Sequence, residues 1–295
     1  MQVSLLPDRG VIKVAGEGAR VFLNGLLTCD VTKVAPGTPR FGALLTPQGK
    51  IIADAIVAEA PAADGGGFFL DVPRALAKTL TDKLNFYKLR AKVICEDLSE
   101  ILGVMAAWDG TATTEYGLCY PDPRLPELGL RIMLPPHLAA SAAADLGATL
   151  VDAGRYEAHR IALGVPRGGL DFSYGDAFPH ETNMDQLGGV DFAKGCYIGQ
   201  EVVSRMEHRG TTRTRIVPMF YDGIAPEAGM PIMAGEKKVG TLGSTADGQG
   251  LAMLRLDRVA DALAAGVPLK ASGAVLHIRK PDWTKFAVPG EAQPA

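Results

Sequence analysis

The densest gathering of residues able to do chemistry is Lys-Gly-Cys-Tyr-Ile-Gly-Gln-Glu at positions 194–201. A thiol reacts or binds metal as the thiolate, so it needs surroundings that favour negative charge. Ile198, Val202 and Met206 recur every four residues and predict a helix over 198–206. Cys196 would then sit just ahead of that helix, facing unpaired backbone N–H groups and the positive end of its dipole. Lys194 adds a second positive charge two residues away. On this pattern Cys196 is a candidate nucleophile or ligand, with Lys194 tuning its ionisation. The plainer reading is a small packed thiol beside a tight turn. Gly195 and Gly199 leave room for another backbone or a ligand to approach. Gln200 and Glu201 offer donors and acceptors in the first turn. Tyr197 is either a flat ring for stacking or a core aromatic.

Fewer signals lie elsewhere. Arg205, His208, Arg209, Arg213 and Arg215 form a basic cluster diluted by Glu207. It could meet a carboxylate tail or RNA phosphates through guanidinium contacts, or be a solvated linker. His159 and His180 stand apart, and no residues fall in a metal-ligand spacing, so no metal site is expected. The four cysteines, Cys29, Cys95, Cys119 and Cys196, contain no C-x-x-C pair, which argues against a disulfide framework or a structural zinc. Asp30, after Thr28 and Cys29, reads as a helix or turn cap instead of a site residue.

Elements must position these groups. Spacing predicts a short strand at 11–14, then a turn and a helix carrying Ala19, Phe22, Leu23 and Leu26 on one face. Residues 41–58 read as two strands about a Pro47-Gln48-Gly49 turn. A Gly-rich tip at 61–67 precedes a strand at 68–72, a helix at 74–87 and a strand at 89–96. Helices are expected at about 136–147 and 153–163, the latter stopped by Gly164-Val165-Pro166. From Thr211 short strands alternate with glycine turns (216–221, 237–243, 250–256, 267–271, 274–279), the texture of a small antiparallel barrel. The expected division is an α+β region over 1–210, a β-barrel module over 211–287 and a disordered tail over 288–295.

Composition fits this picture. The 295 residues are 47% hydrophobic and 21% charged, enough to bury a sizeable core. No run approaches the roughly 18–20 apolar residues of a membrane span, and the N-terminus lacks the pattern of a secretory signal, so a cytoplasmic protein is expected. A net charge of −3 argues against indiscriminate nucleic-acid binding.

Several separated runs resemble one family in the same order. These are FLNGLLTCDV (22–31), YKLRAKV (87–93), DPRLPELGLR (122–131), RIALGVPRGGLDF (160–172), ETNMDQLGGVDF (181–192) and KGCYIGQE (194–201). Together they resemble the YgfZ family of folate-binding proteins. That family includes the Caf17-type iron–sulfur maturation factors and is related to the glycine-cleavage T-protein. The resemblance implies a T-protein-like α+β folate-binding region followed by a β-barrel. It implies tetrahydrofolate or a derivative as ligand, and iron–sulfur client or assembly proteins as partners, tRNA-modifying enzymes among the clients.

Two departures from the T-protein pattern bear on mechanism. Where that pattern has adjacent acids, this chain has Ala53-Asp54, and the acid expected to read the pterin ring is replaced by Ala162. Asp54 and Asn183 are the substitutes for that recognition, with Arg205 a contact for the folate tail. The expectation is therefore a folate-dependent accessory factor in iron–sulfur maturation or repair, with Cys196 at its centre. A folate-dependent aminomethyl or one-carbon transferase and a tRNA-binding module are the alternatives. A single motif cysteine, with no further thiolates nearby in sequence, means that any cluster is shared with a partner or only passes through.

Overall fold

Two apolar runs broken by a turn at Asp8 begin the chain, and both become strands: β1 (Gln2–Leu5) and β2 (Arg9–Ala15). The computed structural model describes residues 1–210 and 212–290. Contacts divide the chain into two units, one built from Met1–Tyr156 with Leu187–Glu201, the other from Glu157–Gln186 with Val202–Ala295.

In the first unit α1 (Ala19–Leu26) is followed by β3 (Arg40–Leu45), β4 (Ile51–Glu59) and β5 (Phe68–Pro73). Then come α2 (Arg74–Tyr87) and β6 (Ile94–Asp97). The strands pair antiparallel in the order β3-β4-β5-β2-β6. Leu80 and Leu84 of α2 and Leu23 and Leu26 of α1 bury themselves on this sheet with Ile12, Val14, Leu44, Val57 and Leu70. That core is what the four-residue apolar spacing of both helices requires. The strand expected over 89–96 begins only at Ile94, because Leu89 takes a left-handed backbone (φ 42°) that breaks an extended run.

A second sheet in the same unit takes β7 (Gly103–Trp108), β8 (Leu118–Pro121), β9 (Leu130–Leu134) and the two-residue β10 (Thr149–Leu150), in the order β10-β1-β7-β9-β8. The helix expected at 136–147 is a 3-10 turn, Pro136–Leu138, leading into α3 (Ala139–Asp145), which packs on this sheet. A buried ion network joins the two sheets. Asp122 is gripped by Arg124 (Nη2 2.7 Å) and Arg131 (Nε 3.0 Å), and Arg131 also reaches Asp71 and the Tyr156 hydroxyl. Arg9 closes the network on Asp71.

In α4 (Ala153–Leu163) the sequence expectation is met residue for residue. Its last turns belong to the second unit, where Arg160 donates to Glu157, Asp171 and Ser244. After α5 (Gln200–Arg209) the chain enters β11 (Thr214–Tyr221), β12 (Pro231–Ala234), β13 (Lys237–Ala246), β14 (Gln249–Arg255), α6 (Leu256–Ala264), β15 (Leu269–Ala271) and β16 (Ala274–Ile278). The six strands close into a barrel, with β16 returning to pair with β11 (Met219 opposite Ile278). The glycine-punctuated texture foretold the barrel, while β12 and α6 went unread. Val288, at the start of the expected tail, is buried in the barrel core, and residues 291–295 of that tail lie outside the described residues. Among the described residues no helix is long and apolar enough to cross a membrane.

Candidate functional site

Two of the motif runs meet in the first unit. The run 22–31 supplies the end of α1 and the strand-like segment after it, and 187–201 is laid against that segment. Thr28 makes the seam: its hydroxyl donates to the Gly189 carbonyl (2.5 Å) and accepts from Ala43 N–H (2.8 Å), while its carbonyl accepts from Asp191 N–H (3.0 Å). Lys33 reaches across to Asp191 (2.6 Å) and back to Asp30 (3.2 Å). Asp30 also caps the 3-10 turn Val31–Lys33 through Thr32 N–H (3.0 Å), as its sequence context foretold. Hydrogen bonds from Thr32 hold the Asp30 carboxyl below its ordinary pKa. Burial alone would raise Asp191, and the Lys33 and Ala193 N–H contacts outweigh it.

Lys194 is the anchor of the Cys196 segment. Its buried ammonium donates to the carbonyls of Asn24 (2.7 Å), Leu27 (2.6 Å) and Cys29 (2.6 Å). The Asn24 carbonyl belongs to the last turn of α1, where helix carbonyls lack intrahelical partners and the dipole is negative. Burial lowers the Lys194 pKa, and the negative charges of Asp30 and Asp191 nearby oppose that shift. The ammonium lies 5.3 Å from the Tyr197 ring centroid, a cation–π contact. Tyr197 is thus a core aromatic. Burial pushes its hydroxyl to about 12, and that hydroxyl has no hydrogen-bond partner among the described residues. The expected tuning of Cys196 by Lys194 is replaced by another job, because the Lys194 charge is spent on these carbonyls.

Cys196 itself is exposed. The helix after it starts at Gln200, later than the expected 198, because Gly199 takes φ 83° and Ile198 packs on the sheet core. Cys196 therefore stands four residues before the first helical residue, outside the range of one turn over which the helix dipole acts. Gln200 and Glu201 do form the first turn of α5, with Glu201 exposed at its positive end. Gly199 is held against the β3–β4 turn: a Cβ there would lie 2.6 Å from the Thr46 carbonyl and 3.1 Å from the Gly49 Cα. Gly199→Ala is expected to cost about 2 kcal/mol, from the left-handed backbone and the clash together. The check is chemical denaturation, where an unchanged midpoint would refute the packing argument. Gly195 has open space around its Cα.

A cleft of about 490 Å³ opens beside the seam, lined by Asp30, Lys33, Arg40, Phe41, Asp191 and Phe192 among others. None of the sequence-chosen site residues lines it. Cys29 does, but as a buried thiol that desolvation raises to about 12, which removes it as a nucleophile. Asp54 is nearly buried in β4 and paired with Arg9 at 3.5 Å, a structural ion pair.

Asn183 and Arg205 belong to the second unit. Asn183 is fully buried at φ 61°, its amide nitrogen donates to the Ile216 carbonyl (2.6 Å), and its Oδ1 has no hydrogen bond among the described residues. Arg205 is exposed on α5. The basic cluster is divided: Arg215 is buried and forked onto Asp185 (2.6 and 3.0 Å), while Arg205, His208, Arg209 and Arg213 are exposed. His180, Asp185 and Glu207 come together with ligand atoms within 4.8 Å, a grouping no sequence spacing reveals. Arg215 already holds both Asp185 oxygens and His180 Nε2 meets Glu207 at 3.0 Å, so these groups are partnered with one another, while His180 Nδ1 and Arg215 Nε have no hydrogen bond among the described residues.

The family described as CAF17, C-terminal beta-barrel domain, matches residues 213–286, which hold the barrel strands. A mitochondrial iron–sulfur cluster assembly factor IBA57 homolog from Pyricularia oryzae is 32% identical, covering 90% of this chain and 75% of its own. Its counterpart in Mycosarcoma maydis is 35% identical over 75% of this chain, and the mouse IBA57 factor 28% identical over 94%. This chain spans just over half the length of some of these relatives, 57% for the M. maydis protein. Among solved structures the glycine cleavage aminomethyltransferase T of Bartonella henselae matches over 96% of this chain and 86% of its own, with TM-score 0.71 and 15% identity. That likeness shows a T-protein-type fold. Given relatives of this identity and coverage and a matching terminal barrel, the chain belongs to the IBA57/CAF17 family of iron–sulfur cluster assembly factors.

Proposed function

We propose that this protein is a folate-binding accessory factor that matures or repairs iron–sulfur enzymes, in the manner of the YgfZ branch its motifs resemble. One observation carries the reading. Of four cysteines only Cys196 is exposed, and it sits at the tip of a segment that Thr28, Lys33 and Lys194 pin to the sheet. Such a thiol loses its proton on binding iron and contributes one ligand to a cluster. A cluster needs more ligands than one, so the rest come from the protein that delivers or receives it. Tetrahydrofolate is the proposed ligand of the first unit. The 490 Å³ cleft is within the size range of small-molecule sites. Its residues suit the chemistry: Arg40 and Lys33 for the carboxylates of the tail, Asp30 and Asp191 as acceptors for pterin N–H groups, Phe192 as a flat face. Folate binding would orient and shield; the cluster chemistry rests on the thiol.

The test is a rescue assay. A strain lacking the gene should lose activity in several [4Fe–4S] enzymes, tRNA-modifying ones included. Wild-type protein should restore it, and Cys196→Ala should restore less than about a tenth, since no neighbouring thiol can take its place. Full rescue by Cys196→Ala would remove the thiol from the mechanism.

A further inference from the structure

The stretch 83–95, which includes the motif run 87–93, gives Leu84, Val93 and Cys95 to the core, and its exposed side chains serve neither the core nor the site. It carries Lys83, Lys88, Arg90 and Lys92 and no acidic residue, in a chain whose net charge is −3. Within it Phe86 is 75%, Leu89 85% and Ile94 60% exposed, three of the large apolar side chains most open to water in the first unit. Lys92 meets Glu17 at 3.1 Å, an ion pair open to water on both sides and therefore worth little. Among the described residues Lys83, Lys88 and Arg90 have no ion-pair partner. Leu89 is held in a left-handed backbone, a conformation unfavourable for a leucine, and this keeps its side chain outward. Ile94 starts β6, the last strand of its sheet, which no further strand flanks among the described residues, although Asn85 Nδ2 donates to the Cys95 carbonyl (3.2 Å).

Exposed apolar groups, uncompensated cations, a strained residue and an edge strand thus coincide in one short segment. Each is unfavourable or idle in the isolated chain, and together they fit a covered surface. The geometry points to a docking site for a partner protein with an acidic surface that surrounds an apolar patch. Carboxylates of the partner meet Lys88 and Arg90, and its apolar residues cover Leu89 and Ile94. Complementary charge supplies orientation and rate, and apolar contact supplies residence. RNA is disfavoured because Phe86 is the segment's one exposed aromatic, where single strands need successive stacking faces. A membrane surface is disfavoured because the cations and apolar residues lie mostly on a loop and not along an amphipathic helix. The partner's role rests on the reading above, in which a second protein completes the cluster that Cys196 holds.

The experiment places a photoreactive p-benzoylphenylalanine at Leu89 of the full chain, expressed in its own deletion strain. A second strain carries the probe at Val21, an equally open residue of the same unit (80% exposed). The Leu89 probe should yield an adduct with a protein whose cross-linked peptide, identified by mass spectrometry, is net acidic. Adding Lys88→Glu and Arg90→Glu should cut the yield about tenfold, with the thermal midpoint unchanged. A ribonuclease-sensitive adduct, a lipid adduct, yields equal to the Val21 control, or a yield indifferent to the charge reversal would each overturn the proposal. The adduct is independent of Cys196, so the Cys196→Ala rescue assay can fail while the docking site stands, and the reverse.

Discussion

Lys194→Met will unfold the protein more readily by about 3 kcal/mol, a drop in melting midpoint of roughly 6–12 °C, although the change removes one charge and almost no volume. Three carbonyls, at Asn24, Leu27 and Cys29, lose a charge-assisted donor at once. Each such bond is worth about 1.5–3 kcal/mol, and the relief of no longer burying an ammonium returns part of the sum. Hydrogen exchange should locate the damage: protection falls at residues 24–31 and 189–196 while the barrel strands keep theirs. If Lys194 instead served only to activate the thiol, the variant would keep its stability and its exchange pattern and lose only the reactivity of Cys196 toward an alkylating reagent.

Asp122→Asn is expected to cost about 3–5 kcal/mol, because it strips the counter-charge from two arginines at once. Arg124 and Arg131 both bind this carboxylate, and Arg131 is buried beyond the reach of water. Asp71 is left to serve Arg9 and Arg131 alone. The substitution also carries a pH signature. Burial would raise the Asp122 carboxyl, but Arg124 and Arg131 outweigh it and hold it well below the ordinary carboxylate range. A carboxyl depressed in the folded state binds its proton more tightly when unfolded. Its contribution is therefore complete above the unfolded value of about 4 and is lost as pH falls through the lower folded value. Wild-type stability should decline steeply below pH ~4, and the Asp122→Asn variant should show a flatter acid limb. Parallel acid limbs in denaturation at several pH values would show that the network contributes nothing.

What the sequence made legible was whatever has a local signal. Leu76, Leu80 and Leu84, four residues apart, lie behind the expected helix at 74–87 that α2 fills, and Gly164-Val165-Pro166 stopped α4 where the chain does stop. Glycine-punctuated short strands announced the barrel. Strands buried on every residue, such as Gly103–Trp108, show no alternation and were missed. So was α6, whose leading residue had been read as the end of a strand. At the site, the residue types of 194–201 pointed to a functional thiol, and the short distance between Lys194 and Cys196 suggested that one acts on the other. The lysine instead acts on carbonyls 165–170 residues away, a relation with no trace in local spacing. For the same reason Arg40, Lys33 and Asp191 of the cleft drew no notice: what gathers them is the seam between distant segments.

The seam also sets the order in which the molecule can be made. Residues 1–156 build both sheets of the first unit, yet the segment that completes it, 187–201, emerges only after a stretch belonging to the other unit. On a translating ribosome the nascent sheets must wait with the end of α1 uncapped until Lys194 has been synthesised. Closing so long a loop is entropically slow, and surfaces left open in the interval are the ones prone to aggregation. Growth of the chain thus reserves the cysteine segment for last, and the exposed thiol of Cys196 is put in place only once the scaffold that holds it exists.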